Sequence, residues 1–155
     1  IVMNCQTYCF RLLARRDYTR QELGKKALDK GFQETEIQET LDHLQTINAQ
    51  SDSRVAEDLI LGYQGKLGKP KIKQKCREKG IALELFEETW EDLADRVETE
   101  DFSDLKAKVI QKYKLTEFSN LDPKTKRKVC NFLQYRGFNP FSLLSQWQQE
   151  ESEKL

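Results

Sequence analysis

Apolar residues recur along this chain in one spacing, three times over, each time around a glycine. Counting from Gly31, Gly80 and Gly137, position −8 holds Leu23, Ile72 and Val129, and position −4 holds Ala27, Cys76 and Leu133. Position +1 holds Phe32, Ile81 and Phe138, position +6 Ile37, Phe86 and Leu143, and position +10 Leu41, Trp90 and Trp147. Positions −8 and −4 lie one helical turn apart and so share a face, as do +6 and +10. The spacing predicts two helices hinged at the glycine. That glycine supplies the left-handed backbone of a helix end, and the apolar residue after it folds back onto the helix. Helix starts are marked as well. Thr19 and Glu22 fit a capping box, Asp122-Pro123 and Asn139-Pro140 each set a cap before a first-turn proline, and Pro70 opens the middle copy.

A helical hairpin cannot bury its own apolar stripe, so each copy needs a third helix. The sequence upstream offers one: Val55, Leu59 and Tyr63 recur every fourth residue, as do Leu105, Val109 and Tyr113, with Cys5, Cys9 and Leu13 as a weaker version. The expected fold is all-α, with three tandem three-helix repeats over residues 4–49, 51–98 and 101–151 forming an elongated, curved molecule. The joints fall at Asn48–Ser53 and at the acidic Glu98–Asp104. The third repeat carries a longer loop over Leu115–Asp122.

Composition narrows the function. Gly and Pro total 10 of 155 residues, too few for an all-β meander. No stretch approaches the roughly 18 apolar residues of a membrane span, and no apolar segment follows a basic start. The chain is expected to be soluble, cytoplasmic and monomeric. Cys5, Cys9, Cys76 and Cys130 form no close pair of the kind that binds zinc, and His43 is the single histidine, so no metal or cofactor is expected. The thiols read as small buried hydrophobes.

Charge is balanced at 26 basic and 26 acidic residues but segregated along the chain. Lys66 to Lys79 is basic and Glu84 to Asp104 acidic, and the first repeat follows the same order, with Arg11 to Lys30 ahead of Glu34 to Asp58. Asn139 to Gln149 carries no charge. A charge run is ordinarily a solvated face. Position −11, however, is basic in all copies, as Arg20, Lys69 and Lys126, although it lies near a helix N-terminus, where the macrodipole disfavours a cation. That register points to binding. The basic residue at −1, Lys30, Lys79 or Arg136, lies where the dipole welcomes it and needs no such account. Lys69 and Lys73, one turn apart, can face one partner, either phosphates or acidic protein.

No constellation reads as an active site. Gly62 to Pro70 has the flavour of a phosphate loop, but Pro70 stands where a Ser or Thr would hold magnesium, so it reads as a linker. His43 has no evident nucleophile beside it. Trp90 and Trp147 occupy an apolar register and read as core. Glu87 and Glu91 are neighbours on one helix face rather than carboxylates across a cleft.

The run Arg11 to Leu23, with Arg16-Asp17-Tyr18-Thr19 and Glu22-Leu23, resembles the opening motif of the bacterial RecX regulatory proteins. Lys30-Gly31-Phe32, Gly68-Lys69-Pro70-Lys71-Ile72, Lys79-Gly80-Ile81 and Arg136-Gly137-Phe138 fall where that family places its repeat glycines, and the resemblance spans residues 9–150. One joint departs from it. The family's Leu-Asp-Asp, any residue, Arg, aromatic, Ala becomes Gln50-Ser51-Asp52-Ser53-Arg54-Val55-Ala56. The resemblance implies a non-enzymatic negative regulator that binds the filament of RecA recombinase on DNA and suppresses its ATPase, strand-exchange and coprotease activities. The alternative is a helical module binding single- or double-stranded DNA through phosphates. The candidate contacts, for RecA or DNA, are Arg15, Arg16, Arg20, Lys26, Lys69, Lys73, Lys75, Lys126 and Arg127.

Overall fold

The computed structural model describes residues 3–94 and 101–154. Among these the chain forms nine helices and no strand: α1 (Cys5–Leu13), α2 (Arg20–Lys30), α3 (Glu34–Thr46), α4 (Asp52–Tyr63), α5 (Lys69–Glu78), α6 (Leu83–Ala94), α7 (Ser103–Tyr113), α8 (Pro123–Tyr135) and α9 (Pro140–Glu153). Part of the expected Glu98–Asp104 joint lies outside the described residues.

Local rules account for where the helices start. Thr19 accepts from the Glu22 N–H at 3.1 Å while Glu22 accepts from the Thr19 N–H at 2.9 Å, a complete capping box. Asp122 caps α8 by accepting from the Thr125 N–H at 2.9 Å, and Asn139 caps α9, each directly before a proline. The ends obey one geometry three times. Gly31, Gly80 and Gly137 have φ of 104°, 88° and 86°. In each copy the N–H at +1 donates to the carbonyl at −4: Phe32 to Ala27 at 3.2 Å, Ile81 to Cys76 at 3.0 Å and Phe138 to Leu133 at 3.0 Å. This is the Schellman closure that a left-handed glycine permits.

The chain divides into two compact units, Ile1–Gly62 with Lys73–Arg96, and Tyr63–Ile72 with Val97–Leu155. In the first, Cys5, Cys9, Tyr18, Leu23, Ala27, Ile37, Leu41 and Leu44 make one apolar core. In the second, Leu105, Val109, Val129, Leu133, Leu143, Leu144 and Trp147 make another, closed by Phe118 from the long loop, whose ring lies 5.1 Å from that of Trp147. Glu151 fixes that loop by accepting from the backbone N–H groups of Phe118 and Ser119.

Two apolar registers shift from expectation. On α4 the buried residues are Val55, Ala56 and Ile60, while Leu59 and Tyr63 are only half-buried. Two adjacent stripes compete on this helix, and the one through Ala56 and Ile60 is the more deeply buried. Trp90 is half-buried rather than buried, its ring 5.8 Å from Phe86. Cys5, Cys9 and Cys76 are buried and Cys130 half-buried. Burial, with Cys5 adding a hydrogen bond, pushes the Cys9 thiol up to about 12, and burial pushes Cys76 to about 11, so both stay protonated.

Candidate functional site

The −11 register takes a different form in each copy. At the start of α2 the Arg20 N–H donates to Asp52 at 2.8 Å, and its guanidinium donates to Asp42 at 2.6 Å, Gln45 at 2.9 Å and Gln38 at 3.1 Å. Arg20 is thus held by the acidic face of α3, and that carboxylate offsets the unfavourable dipole at its own helix start. Lys69 belongs to the second unit and is half-buried. Lys126 is exposed on the first turns of α8.

The remaining candidates divide the same way. Arg16 lies over the Tyr18 ring at 3.6 Å and 3.4 Å from Glu22. Lys73, in the first unit, pairs with Glu87 at 3.4 Å. Lys75 is half-buried. Arg15, Lys26, Lys126 and Arg127 are exposed, and among the described residues their side chains form no hydrogen bond or ion pair. His43 is exposed on α3, and no group of His, Cys, Asp and Glu able to hold a metal occurs among the described residues.

The joint whose sequence departs from the family motif keeps the residues that tie it. The Arg54 guanidinium donates to Asp17 at 2.9 Å and to the carbonyls of Asn48 and Ala49, and the Asp17 hydrogen bond pushes its pKa further up. Asp52 holds the Arg20 N–H, and Ala56 is fully buried. Gln50, placed where the family has Leu, is 2% exposed. Its amide donates to the Tyr18 carbonyl at 3.2 Å and to Asp52 at 2.8 Å, so the buried polar group is satisfied.

Sequence reasoning missed a contact made twice, in one register. Thr19, at −12 in the first copy, donates its hydroxyl to the carbonyl of Lys79, at −1 in the second. Gly68, at −12 in the second copy, donates its N–H at 2.8 Å to the carbonyl of Arg136, at −1 in the third. The start of one middle helix therefore sits on the glycine corner of the next. A Cβ on Gly80 would lie 2.4 Å from Gln21, and one on Gly137 would lie 2.9 Å from Lys71, whereas one on Gly31 would meet nothing. At the first of these contacts Lys79 also pairs with Glu22 at 3.2 Å. Desolvation pushes the Glu22 carboxyl up, but the Thr19 N–H, Lys79 and Arg16 outweigh it and hold the group below its ordinary value. The signal was present in the sequence, as the shared −12 and −1 positions, but only the fold shows that they meet.

Fold and surface together define an all-α protein of tandem helical repeats, marked by a glycine corner that recurs in one geometry. The family model for the first three-helix domain of RecX matches residues 5–44. A regulatory protein RecX of Pasteurella multocida is 37% identical over 135 residues, covering 86% of this chain and 79% of that protein. Its counterpart in Mannheimia succiniciproducens is 33% identical, covering 85% and 84%. The crystal structure of RecX from Lactobacillus salivarius shares the fold at 19% identity, with a TM-score of 0.74 over 94% of each chain. The chain belongs to the RecX family of regulatory proteins.

Proposed function

We propose that this chain acts in the cytoplasm, as a monomer and without catalysis, as a negative regulator of RecA recombinase. On this reading it binds the RecA filament on DNA and lowers its ATPase, strand-exchange and coprotease activities. The observation that carries the reading is the glycine corner repeated in one geometry three times, in a chain 37% identical to a protein named a RecX regulator. Repeats at 4–49, 51–98 and 101–151 suit a partner that is itself a repeating assembly, since like surfaces then meet like subunits. The test is RecA ATPase on single-stranded DNA with the purified chain added up to one per RecA. A severalfold fall is expected; an unchanged rate sinks the proposal.

A second reading, phosphate binding to DNA, is favoured by the exposed and unpaired Lys126 and Arg127 on α8, beside Lys124 and Lys128. It places the contact on α8 rather than on Arg20 and Lys73, whose charges are met inside the chain.

A further inference from the structure

The glycine corner of the third copy differs from the other two in one respect that the fold does not require. Position −2 is Asp29 in the first copy, Glu78 in the second and Tyr135 in the third, and position +4 is Thr35, Glu84 and Phe141. All six are exposed, so none of them serves the core. Acidic or polar residues satisfy both registers twice, yet in the third copy both become aromatic together. Tyr135 is 77% and Phe141 71% exposed, more than any other large apolar side chain described. They flank one corner, Tyr135 in the last turn of α8 and Phe141 in the first turn of α9. Solvating such rings is costly, and aromatic residues flanked by cations are the usual anchors of protein interfaces.

Local chemistry chooses the occupant. The Lys71 ammonium lies 4.7 Å from the Tyr135 ring centroid, so one face of that ring is already covered and not open to a stacked base. Phe141 lies within the stretch from Asn139 to Gln149, which carries no charge of its own. Around them the unit is basic overall, with 13 basic and 9 acidic residues in its sequence, against 13 and 17 in the other. Lys71 and Arg136 stand nearest the corner. We infer that the Gly137 corner is a protein-docking anchor: Phe141 and the free edge of Tyr135 enter an apolar pocket on a partner whose rim is acidic and meets Lys71 and Arg136. The inference rests on the regulator reading above and supplies that reading with its contact.

The experiment compares the intact chain, Tyr135→Ser with Phe141→Ser, and Leu83→Ser as an exposed apolar control. It reads RecA ATPase inhibition, binding to a fluorescent single-stranded oligonucleotide, and thermal melting. The double variant is expected to need at least tenfold more protein for half-inhibition, with oligonucleotide binding within twofold and the control behaving as the intact chain. Because Thr, Asp and Glu already occupy these registers, its melting temperature is expected to hold; if it falls, Tyr135→Glu with Phe141→Glu, the second copy's residues, takes its place. Equal inhibition by the intact chain and the double variant overturns the anchor and leaves the regulator reading standing. Loss of oligonucleotide binding in step with inhibition also overturns it, in favour of a nucleic-acid surface. An intact chain that does not inhibit removes both readings.

Discussion

Glu22 serves three partners with one carboxylate. It closes the capping box of α2 on the Thr19 N–H, and it takes Lys79 at 3.2 Å and Arg16 at 3.4 Å. Because its pKa is lower in the folded chain than in the unfolded one, folding gains from its charge at any pH above the ordinary carboxylate value. That gain disappears as the pH falls through the lower, folded value. Glu22→Gln is therefore expected to lower the unfolding free energy by about 1 kcal/mol at neutral pH, the usual worth of a charge-assisted cap of this kind. The difference from the unaltered chain should shrink as the pH falls below the ordinary carboxylate value toward the lower, folded one. Urea denaturation at pH 7, 5 and 3 measures it, and a gap that stays constant across this range would show that the charge contributes nothing. The capping box itself was legible in the sequence because its four residues are contiguous. Lys79, 57 residues away, was not.

At the scale of helices, the glycines divide by what they touch rather than by their backbone angles alone. Gly31 needs a glycine for its φ of 104° only, since its corner is open. Gly137 needs it for φ and for the approach of Lys71. Gly68 has no positive φ, yet a Cβ there would lie 2.0 Å from the backbone oxygen of Gly137, which cannot rotate away. Gly31→Ala is expected to cost about 1 kcal/mol, the left-handed penalty, and Gly137→Ala somewhat more. Gly68→Ala should be the most damaging, at about 3 kcal/mol or above, as an overpacked contact with backbone. Guanidinium denaturation midpoints in the order Gly31→Ala, Gly137→Ala, Gly68→Ala, falling, would bear this out; a mild Gly68→Ala would mean that the corner does not sit on α5. The three corner glycines stood out in the sequence because apolar registers surround them. Gly68 did not, since nothing local distinguishes a linker glycine from one pressed against a carbonyl.

For the whole molecule, zero net charge conceals an uneven division: the sequence of the first unit is net acidic and that of the second net basic. If phosphate binding contributes, it belongs to the basic unit. Replacing Lys126 and Arg127 by Ala is then expected to reduce the log–log salt slope of single-stranded DNA binding by about 1.4, two phosphate contacts at roughly 0.7 each. An unchanged slope would remove α8 from the DNA contact. Changing Arg20, whose guanidinium makes three internal hydrogen bonds, should instead cost stability and leave the slope alone.

The order of the helices, the caps of α2, α8 and α9 and the glycine corners were determined by the sequence alone, because each depends on residues within a turn or two of one another. Tertiary structure decided which cations remain available. Arg20 and Lys126 share a register and a charge, but acids folded back from α3 neutralise the first and nothing described meets the second. It also decided that Thr19 lies on Lys79, 60 residues further on, and that Tyr135 and Phe141 stand in water. Periodicity reports which face of a helix is apolar. It carries no information about which distant element will cover that face or leave it bare.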